Sequence, residues 1–205
     1  GYYQTVNKTT PVAGDVKYVD RNGDGVVDDN DRDIIGNPNP DFTYGFQTKV
    51  SWKSLSLSAS FNGVQGRDIL NVGNRYNNTP GTKSNNVTRK AFQNMWTDEN
   101  PSNLYPKSTF VVQNMVMDRY VEDGSYLRCS DITLSYVLPA KWTNKIGIKN
   151  TSVYASVKNA FVITDYSGYD PEVNSFAFDG LRPGVDMNSY PCLLYTSPSP
   201  RDRTR

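Results

Sequence analysis

Histidine is absent from the 205 residues, and cysteine occurs only twice, at Cys129 and Cys192. Without histidine the chain cannot build a Ser-His-Asp triad, a Cys-His dyad or the usual zinc ligand sets. The two cysteines lie far apart in the sequence, so a disulfide is not expected. A lone thiol within a strand is more often a small packed side chain than a nucleophile. These absences exclude the commonest hydrolase and zinc-enzyme sites.

Long apolar runs and charge of one sign are also missing. The mean hydropathy is −0.62, and no uninterrupted apolar run exceeds four residues. A membrane-spanning helix needs about 20 such residues, so none is expected. A membrane β-barrel is not excluded, because only every second residue of its strands faces lipid. The net charge of +1 provides no basic surface for nucleic acid.

A regular alternation of apolar and polar residues begins at residue 42. In 42–53 only Thr48 interrupts the apolar series, which consists of Phe42, Tyr44, Phe46, Val50 and Trp52. In 54–66, serines and Asn62 alternate with Leu55, Leu57, Ala59 and Phe61. The runs exceed the ~5–6 residues of soluble strands and match the about 9–11 of transmembrane strands. They predict a hairpin; a soluble sandwich hairpin also alternates, but the serine-rich face favours a wet barrel lumen.

Two further strands are predicted, at 125–138 and 151–165. The connection 67–124 is long, polar and rich in asparagine, which predicts a functional surface loop. The other connections are a tight turn at Lys53-Ser54, a short and partly helical segment at 139–150, and a loop at 166–190. Short periplasmic turns alternating with long external loops are typical of outer-membrane barrels. This topology places Trp52 and Trp142 together at the periplasmic end.

The segment DRNGDGVVDDND, residues 20–31, has the spacing of an EF-hand calcium loop. Its candidate oxygen ligands are Asp20, Asn22, Asp24, the carbonyl of Val26, Asp28 and Asp31. The period-two placement of the first three wraps them around one point, and Gly25 permits the sharp turn that follows. The last position is aspartate instead of glutamate, as in the dockerin variant. Two interpretations remain open: a structural calcium site, or an Asx-turn loop with solvated carboxylates.

Four stretches resemble the C-terminal region of SusC/RagA proteins, the TonB-linked outer-membrane transporters of Bacteroidetes. They lie at 14–46, 61–69 (FNGVQGRDI), 120–142 and 153–173 (VYASVKNAFVITDYSGYDPEV). Their order and spacing also match. The resemblance implies an all-β fold: the C-terminal antiparallel strands of a transmembrane β-barrel, with long extracellular loops and contact with outer-membrane lipid in a Gram-negative bacterium.

The resemblance also implies a function. The protein is expected to be part of a TonB-dependent importer of glycan oligomers or peptides, and not an enzyme. A SusD-like lipoprotein would close over the barrel from outside, and TonB would act through an N-terminal part that this chain lacks. The alternative is a secreted, calcium-stabilised glycan-binding or dockerin-like module, which would need a second calcium loop. A hydrolase would need paired carboxylates on rigid strands, whereas acids cluster in loops, as at Glu122-Asp123.

Three regions are therefore expected. Residues 1–41 form an extracellular loop carrying the calcium motif, and 42–191 form barrel strands and loops. Residues 192–205, CLLYTSPSPRDRTR, stand where the family has a final strand of alternating aromatic residues. A transposase adaptor used in sequencing libraries translates to Cys192 through Asp202, so we interpret this tail as non-native. No signal peptide opens the chain, which starts at Gly1 and is expected to lack its front.

Overall fold

A computed structural model describes residues 12–79, 86–108, 116–144, 147, 151–176 and 179–189. The interpretation of 192–205 as a non-native tail falls outside these residues. The strands are β1 (Phe42–Trp52), β2 (Leu55–Gln65), β3 (Asp68–Asn71), β4 (Val121–Asp123), β5 (Tyr126–Val137), β6 (Ser152–Thr164) and β7 (Val185–Asp186). The helices are α1 (Val72–Asn78), α2 (Arg89–Asn94) and α3 (Ala140–Thr143), with 3-10 turns at Asp29–Asp31 and Asp118–Tyr120.

The main sheet has four antiparallel strands in the order β1-β2-β5-β6. The period-two prediction is confirmed, since each strand lies within one residue of its expected bounds. The β1–β2 hairpin closes through a two-residue turn at Lys53 and Ser54. Lys53 adopts a φ of 54°, in the left-handed region that such turns require.

One face of the main sheet is apolar and exposed. A single row runs across all four strands, because Val50 pairs with Leu57, Leu57 with Leu134, and Leu134 with Ala155. Val50 is 63% exposed and Leu57 is 46% exposed. The apolar residues predicted on one face of the hairpin are thus exposed along β1 and the first half of β2. No second sheet within the described ranges covers it.

Both edges of the main sheet are open. Within the described residues, β1 and β6 each pair with only one neighbour, although they are 11 and 13 residues long. All residues of β1 are exposed. Long unpaired edges leave backbone donors and acceptors free to pair with further strands.

A β-bulge in β5 inverts the alternation near the end of the sheet. The register shifts between Ser60 and Phe61 on β2 because Ser130 is an extra residue on β5. Cys129 consequently pairs with Phe61 on the apolar face. Arg128, next to it, turns to the polar face. A bulge re-aims side chains in this way, and the sequence pattern did not indicate it.

A small second sheet, β4-β3-β7, lies beyond the end of β2. Strand β3 pairs antiparallel with β4 and parallel with β7. Its centre is Ile69, which is fully buried and forms a small hydrophobic core with Tyr166 and Val173. The expectation of one irregular loop over 67–124 was therefore incomplete. Among the described residues, no helix is long and apolar enough to span a membrane.

Candidate functional site

The polar face of the main sheet is linked by hydrogen bonds between side chains. Thr133 Oγ1 donates to Asp131 Oδ1 at 2.8 Å, and Ser156 Oγ donates to Asp131 Oδ2 at 2.9 Å. The hydroxyls of Ser51 and Ser56 lie 2.9 Å apart. Hydroxyl groups both donate and accept, so this face suits contact with water and polar ligands.

A buried ion pair lies where the polar face meets the small sheet. Arg128 on β5 is 5% exposed, and its Nη2 donates to Asp170 Oδ1 at 2.5 Å. Its Nε lies 3.3 Å from Glu172 Oε1, which also accepts from Asn62 Nδ2 at 3.1 Å. Removing one partner of a buried pair leaves an uncompensated charge, which costs about 3–5 kcal/mol. We call these four residues the Arg128 cluster.

Residues 165–176 and 179–189, which we call the return loop, lead from β6 back to the small sheet. Tyr166 Oη donates to Asp186 Oδ2 at 2.6 Å, and Ser175 N donates to the Val185 carbonyl at 2.9 Å. Burial, and then the hydrogen bond to Asp186, raises the pKa of Tyr166. The phenol therefore stays protonated at neutral pH and keeps donating to the carboxylate.

Glu122 ties the return loop to the small sheet and α1. Its Oε1 accepts from Asn71 Nδ2 at 3.1 Å, Asn74 Nδ2 at 2.8 Å and Ser167 Oγ at 2.8 Å. Its Oε2 accepts from Ser167 N at 2.9 Å. One carboxylate with four charge-assisted hydrogen bonds orders three segments of the chain.

The predicted calcium loop, residues 20–31, forms a tight turn around Asp20. Asp20 is buried, and its carboxylate accepts from Gly23 N at 2.6 Å and Gly25 N at 2.8 Å. Both glycines have a positive φ, 77° and 82°. Val27 is buried beside the turn, with 7% of its surface exposed. The sharp turn expected at Gly25 is present.

Two further candidate ligands form Asx turns with the backbone. Asn22 Oδ1 accepts from Asp24 N at 2.9 Å, and Asp24 Oδ1 accepts from Val26 N at 2.8 Å. Asn22 Nδ2 donates to Asp24 Oδ2 at 3.0 Å. Side-chain oxygens therefore meet backbone amides, as such turns require.

Asp31 joins the start of the loop to its end. Its Oδ1 accepts from Arg21 N at 2.8 Å and its Oδ2 accepts from Asp28 N at 2.8 Å. The hydrogen bond from the Asp28 amide, followed by that from Arg21, holds the pKa of Asp31 below its ordinary value. Asp28 in turn accepts from Asn30 N at 2.8 Å and begins the 3-10 turn.

The predicted ligands share one turn, but their oxygens point to amides instead of converging. Across the described ranges, no group of three or more His, Cys, Asp or Glu side chains is placed to hold a metal ion. The donor set, hard carboxylate and amide oxygens, is the chemistry that calcium prefers. Binding would require these oxygens to exchange amide donors for the cation, so calcium remains a prediction.

A cleft lined by aromatic and charged side chains adjoins this loop. It runs between residues of 13–35 on one side and residues of 96–106 and 116–119 on the other. The Arg119 guanidinium lies 5.7 Å from the ring centre of Tyr105 and donates to the Leu104 carbonyl at 2.8 Å. Burial raises the pKa of Tyr18 in this cleft to about 12. Neighbouring aromatic and guanidinium groups of this kind offer both apolar and polar contacts to a ligand.

The Arg128 cluster was not found from the sequence. Its members lie in stretches that carry the family resemblance, but no role was assigned to them. The available signal was a charged residue between Leu127 and Cys129, just before residues 131–136, in which polar and apolar side chains alternate cleanly. Arg128 and Asp170 are 42 residues apart, so no local pattern pairs them.

The chain is similar to several curated proteins over most of its length. TonB-dependent receptor P26 of Formosa agariphila is 34% identical over 188 residues, which are 88% of this chain and 18% of the relative. TonB-dependent receptor SusC of Bacteroides thetaiotaomicron is 34% identical over 181 residues, 85% of this chain and 16% of the relative. The chain thus spans less than a fifth of the length of these relatives.

Solved structures give a similar result. The RagAB peptide importer in its closed-closed state matches with a TM-score of 0.64 and 29% identity, over 77% of this chain and 16% of that one. The open-open state matches with a TM-score of 0.64 and 27% identity, over 93% and 19%. No family model matches the chain.

Proposed function

Since the chain belongs to the SusC/RagA family of TonB-dependent receptors, we propose that it forms part of the barrel wall of an outer-membrane importer. The exposed apolar face of the main sheet, opposite a hydrogen-bonded polar face, carries this proposal. Monomeric soluble proteins seldom expose contiguous apolar patches of this extent. In a barrel the apolar face contacts lipid and the polar face lines the lumen.

The strand dimensions support this assignment. The four strands of the main sheet have 11, 11, 12 and 13 residues. About 9–11 residues of a tilted strand cross the hydrocarbon core. The open edges of β1 and β6 would pair with neighbouring strands of the complete barrel, which removes the exposed edges.

The two ends of the sheet support one orientation in the membrane. Trp52 and Trp142 lie at the end that carries the short connections, and they are 69% and 65% exposed. Aromatic girdles mark the membrane interfaces of such barrels, and short turns lie on the periplasmic side. The return loop, the cleft and the loop at 20–31 would then lie outside the cell.

The proposed substrates are glycan oligomers or peptides, captured with a SusD-like surface lipoprotein. TonB would drive uptake through an N-terminal part outside this chain. The importer whose solved structure the chain resembles is described as a peptide importer. The hydroxyl-rich polar face supports either substrate, because both present many donors and acceptors. A secreted module is disfavoured because it would leave the whole apolar face in water.

Uptake by cells tests the proposal. The gene for the full-length protein is deleted and restored, and cells are given fluorescent oligosaccharides or a fluorescent protein digest. We expect uptake of one probe class to disappear on deletion and return with the gene. Loss of TonB should abolish it again. The proposal would be contradicted if the protein is folded in the outer membrane but cells take up both probes equally well with and without the gene.

A further inference from the structure

The return loop is fastened to the polar face of the sheet by one buried arginine. We propose that Arg128 is a positioning residue that holds the return loop as a fixed wall of the barrel mouth and thereby influences which substrates enter. This inference rests on the proposed function.

Three elements meet at the Arg128 guanidinium. Arg128 belongs to β5, and the Asp170 carboxylate at 2.5 Å belongs to the return loop. Glu172 extends the contact to β2, because its Oε1 accepts from Asn62 Nδ2 at 3.1 Å. Within the loop, Glu172 N donates to Asp170 Oδ1 at 2.9 Å, so the two acids are held relative to each other. An ion pair this deeply buried fixes its partners in one geometry.

The loop is anchored at a second place, in the small sheet. Leu70 N donates to the Gly184 carbonyl at 2.8 Å, and Tyr166 donates to Asp186 at 2.6 Å. Contacts to the main sheet and to the small sheet therefore restrict the described residues of the return loop. Its exposed side chains include Tyr169 at 76% and Leu181 at 92%. A rigid support presents such side chains to a ligand at low entropic cost.

Hydrogen–deuterium exchange on the purified full-length protein tests the fastening. Arg128→Met keeps the length of the side chain and removes its charge. We expect exchange in the return loop to become at least about tenfold faster, because the buried carboxylate loses its partner. Arg128→Lys should recover part of the protection, because an ammonium can keep the ion pair with Asp170 but lacks the second nitrogen that lies 3.3 Å from Glu172. Lys49→Met, which removes a cation from the exposed strand β1, is the matched control and should change nothing in the loop.

Uptake distinguishes positioning from a purely structural role. With the probe class that the wild type imports, Arg128→Met should change the preference between short and long oligomers, and Arg128→Lys should partly restore it. A structural role would reduce only the amount of folded barrel. Two results would overturn this inference alone. In the first, the return loop of Arg128→Met exchanges at the wild-type rate. In the second, exchange is faster but the preference between short and long oligomers is unchanged. Absence of uptake by the wild type overturns the proposed function instead.

Discussion

The ring of Tyr44 covers Gly63, the residue directly opposite it on the neighbouring strand. A Cβ at Gly63 would lie 2.3 Å from Tyr44 Cζ and 2.7 Å from the carbonyl oxygen of Tyr126. The Tyr44 hydroxyl donates to that same carbonyl, at 3.5 Å. One side chain on β1 therefore crosses β2 and reaches β5, and only glycine in the middle strand leaves room for it.

We expect Gly63→Ala to destabilise the barrel by about 1–3 kcal/mol, the usual cost of overpacking. Gly45→Ala is the control, because its Cβ would meet only the Phe61 carbonyl, at 3.4 Å. Both substitutions restrict the unfolded chain equally. The measurement is the temperature at which the full-length protein stops migrating in gels as a compact, folded barrel and begins to migrate as the unfolded chain. Tyr44→Ala should offset part of the loss in the double variant, and equal midpoints for the two glycine variants would contradict the packing argument.

The four strands could be predicted to within one residue because side-chain alternation is a local property of the backbone. The bulge at Ser130 could not, because it depends on the register with β2 and β6. The small sheet was missed for a related reason. Its strands have between two and four residues, too few for a periodic pattern, and they pair across long sequence separations.

The candidate site was predictable only where it is local. The spacing of residues 20–31 predicted the sharp turn at Gly25, where Gly25 N donates to the Asp20 carboxylate. It could not decide between calcium and amide donors, because Asx turns and calcium loops use the same residues. The pairing of Arg128 with Asp170 depends on the path of the return loop, which no local pattern specifies.

An arginine on the apolar face tests the lipid assignment. Ala59 lies on that face near the middle of β2, and the neighbouring Ser58 faces the polar side. Arginine at a lipid-facing midplane position costs about 2–4 kcal/mol. We therefore expect Ala59→Arg to reduce the folded, membrane-inserted fraction strongly and Ser58→Arg to have little effect. Equal insertion of both variants would show that this face does not contact lipid.

Protonation of Asp31 should loosen the loop at 20–31. The pKa of Asp31 lies below the ordinary value of 3.8, because the amides of Asp28 and then Arg21 favour the charged form. Its stabilising contribution is therefore complete above pH 3.8 and is lost as the pH falls through the lowered value. We expect Asp31→Asn to accelerate amide exchange of the loop at neutral pH, and the difference from wild type to shrink under strong acid.

The control for this pH effect is Asp29→Asn. Asp29 belongs to the same turn, but its carboxylate pairs with the exposed Arg32 guanidinium at 2.7 Å. Exposed ion pairs of this kind contribute little. Exchange rates corrected for the intrinsic effect of pH should therefore match the wild type throughout. If Asp29→Asn behaves like Asp31→Asn, the effect comes from the total negative charge of the loop and not from the hydrogen bonds of Asp31.

Calcium binding to the loop at 20–31 is the remaining prediction. Asp20, Asp24, Asp28 and Asp31 place four carboxylates within twelve residues. At ~4 Å each pair of charges repels by about 1 kcal/mol in water, and by about 4 kcal/mol at an effective dielectric near 20. A cation removes this repulsion but must displace the amides of Gly23, Gly25 and Val26 from the carboxylates. We therefore expect weak binding, with a dissociation constant of about 10⁻⁴–10⁻³ M, as in extracellular modules.

Calorimetric titration of the full-length protein with calcium decides between the two interpretations of the loop. Asp24→Ala removes an oxygen at the third position of the alternating ligand series and should abolish the binding heat. Asp29→Ala removes an equal charge from the same turn, at a position outside the ligand spacing, and should leave the heat nearly unchanged. Chelation should accelerate amide exchange at 20–31 without affecting β1 and β2, because the sheet is held by its own ladders. Equal binding heats for both variants would contradict calcium binding, and so would the absence of heat at several times 10⁻³ M calcium. Either result would mean that the carboxylates of this loop only accept hydrogen bonds from neighbouring amides.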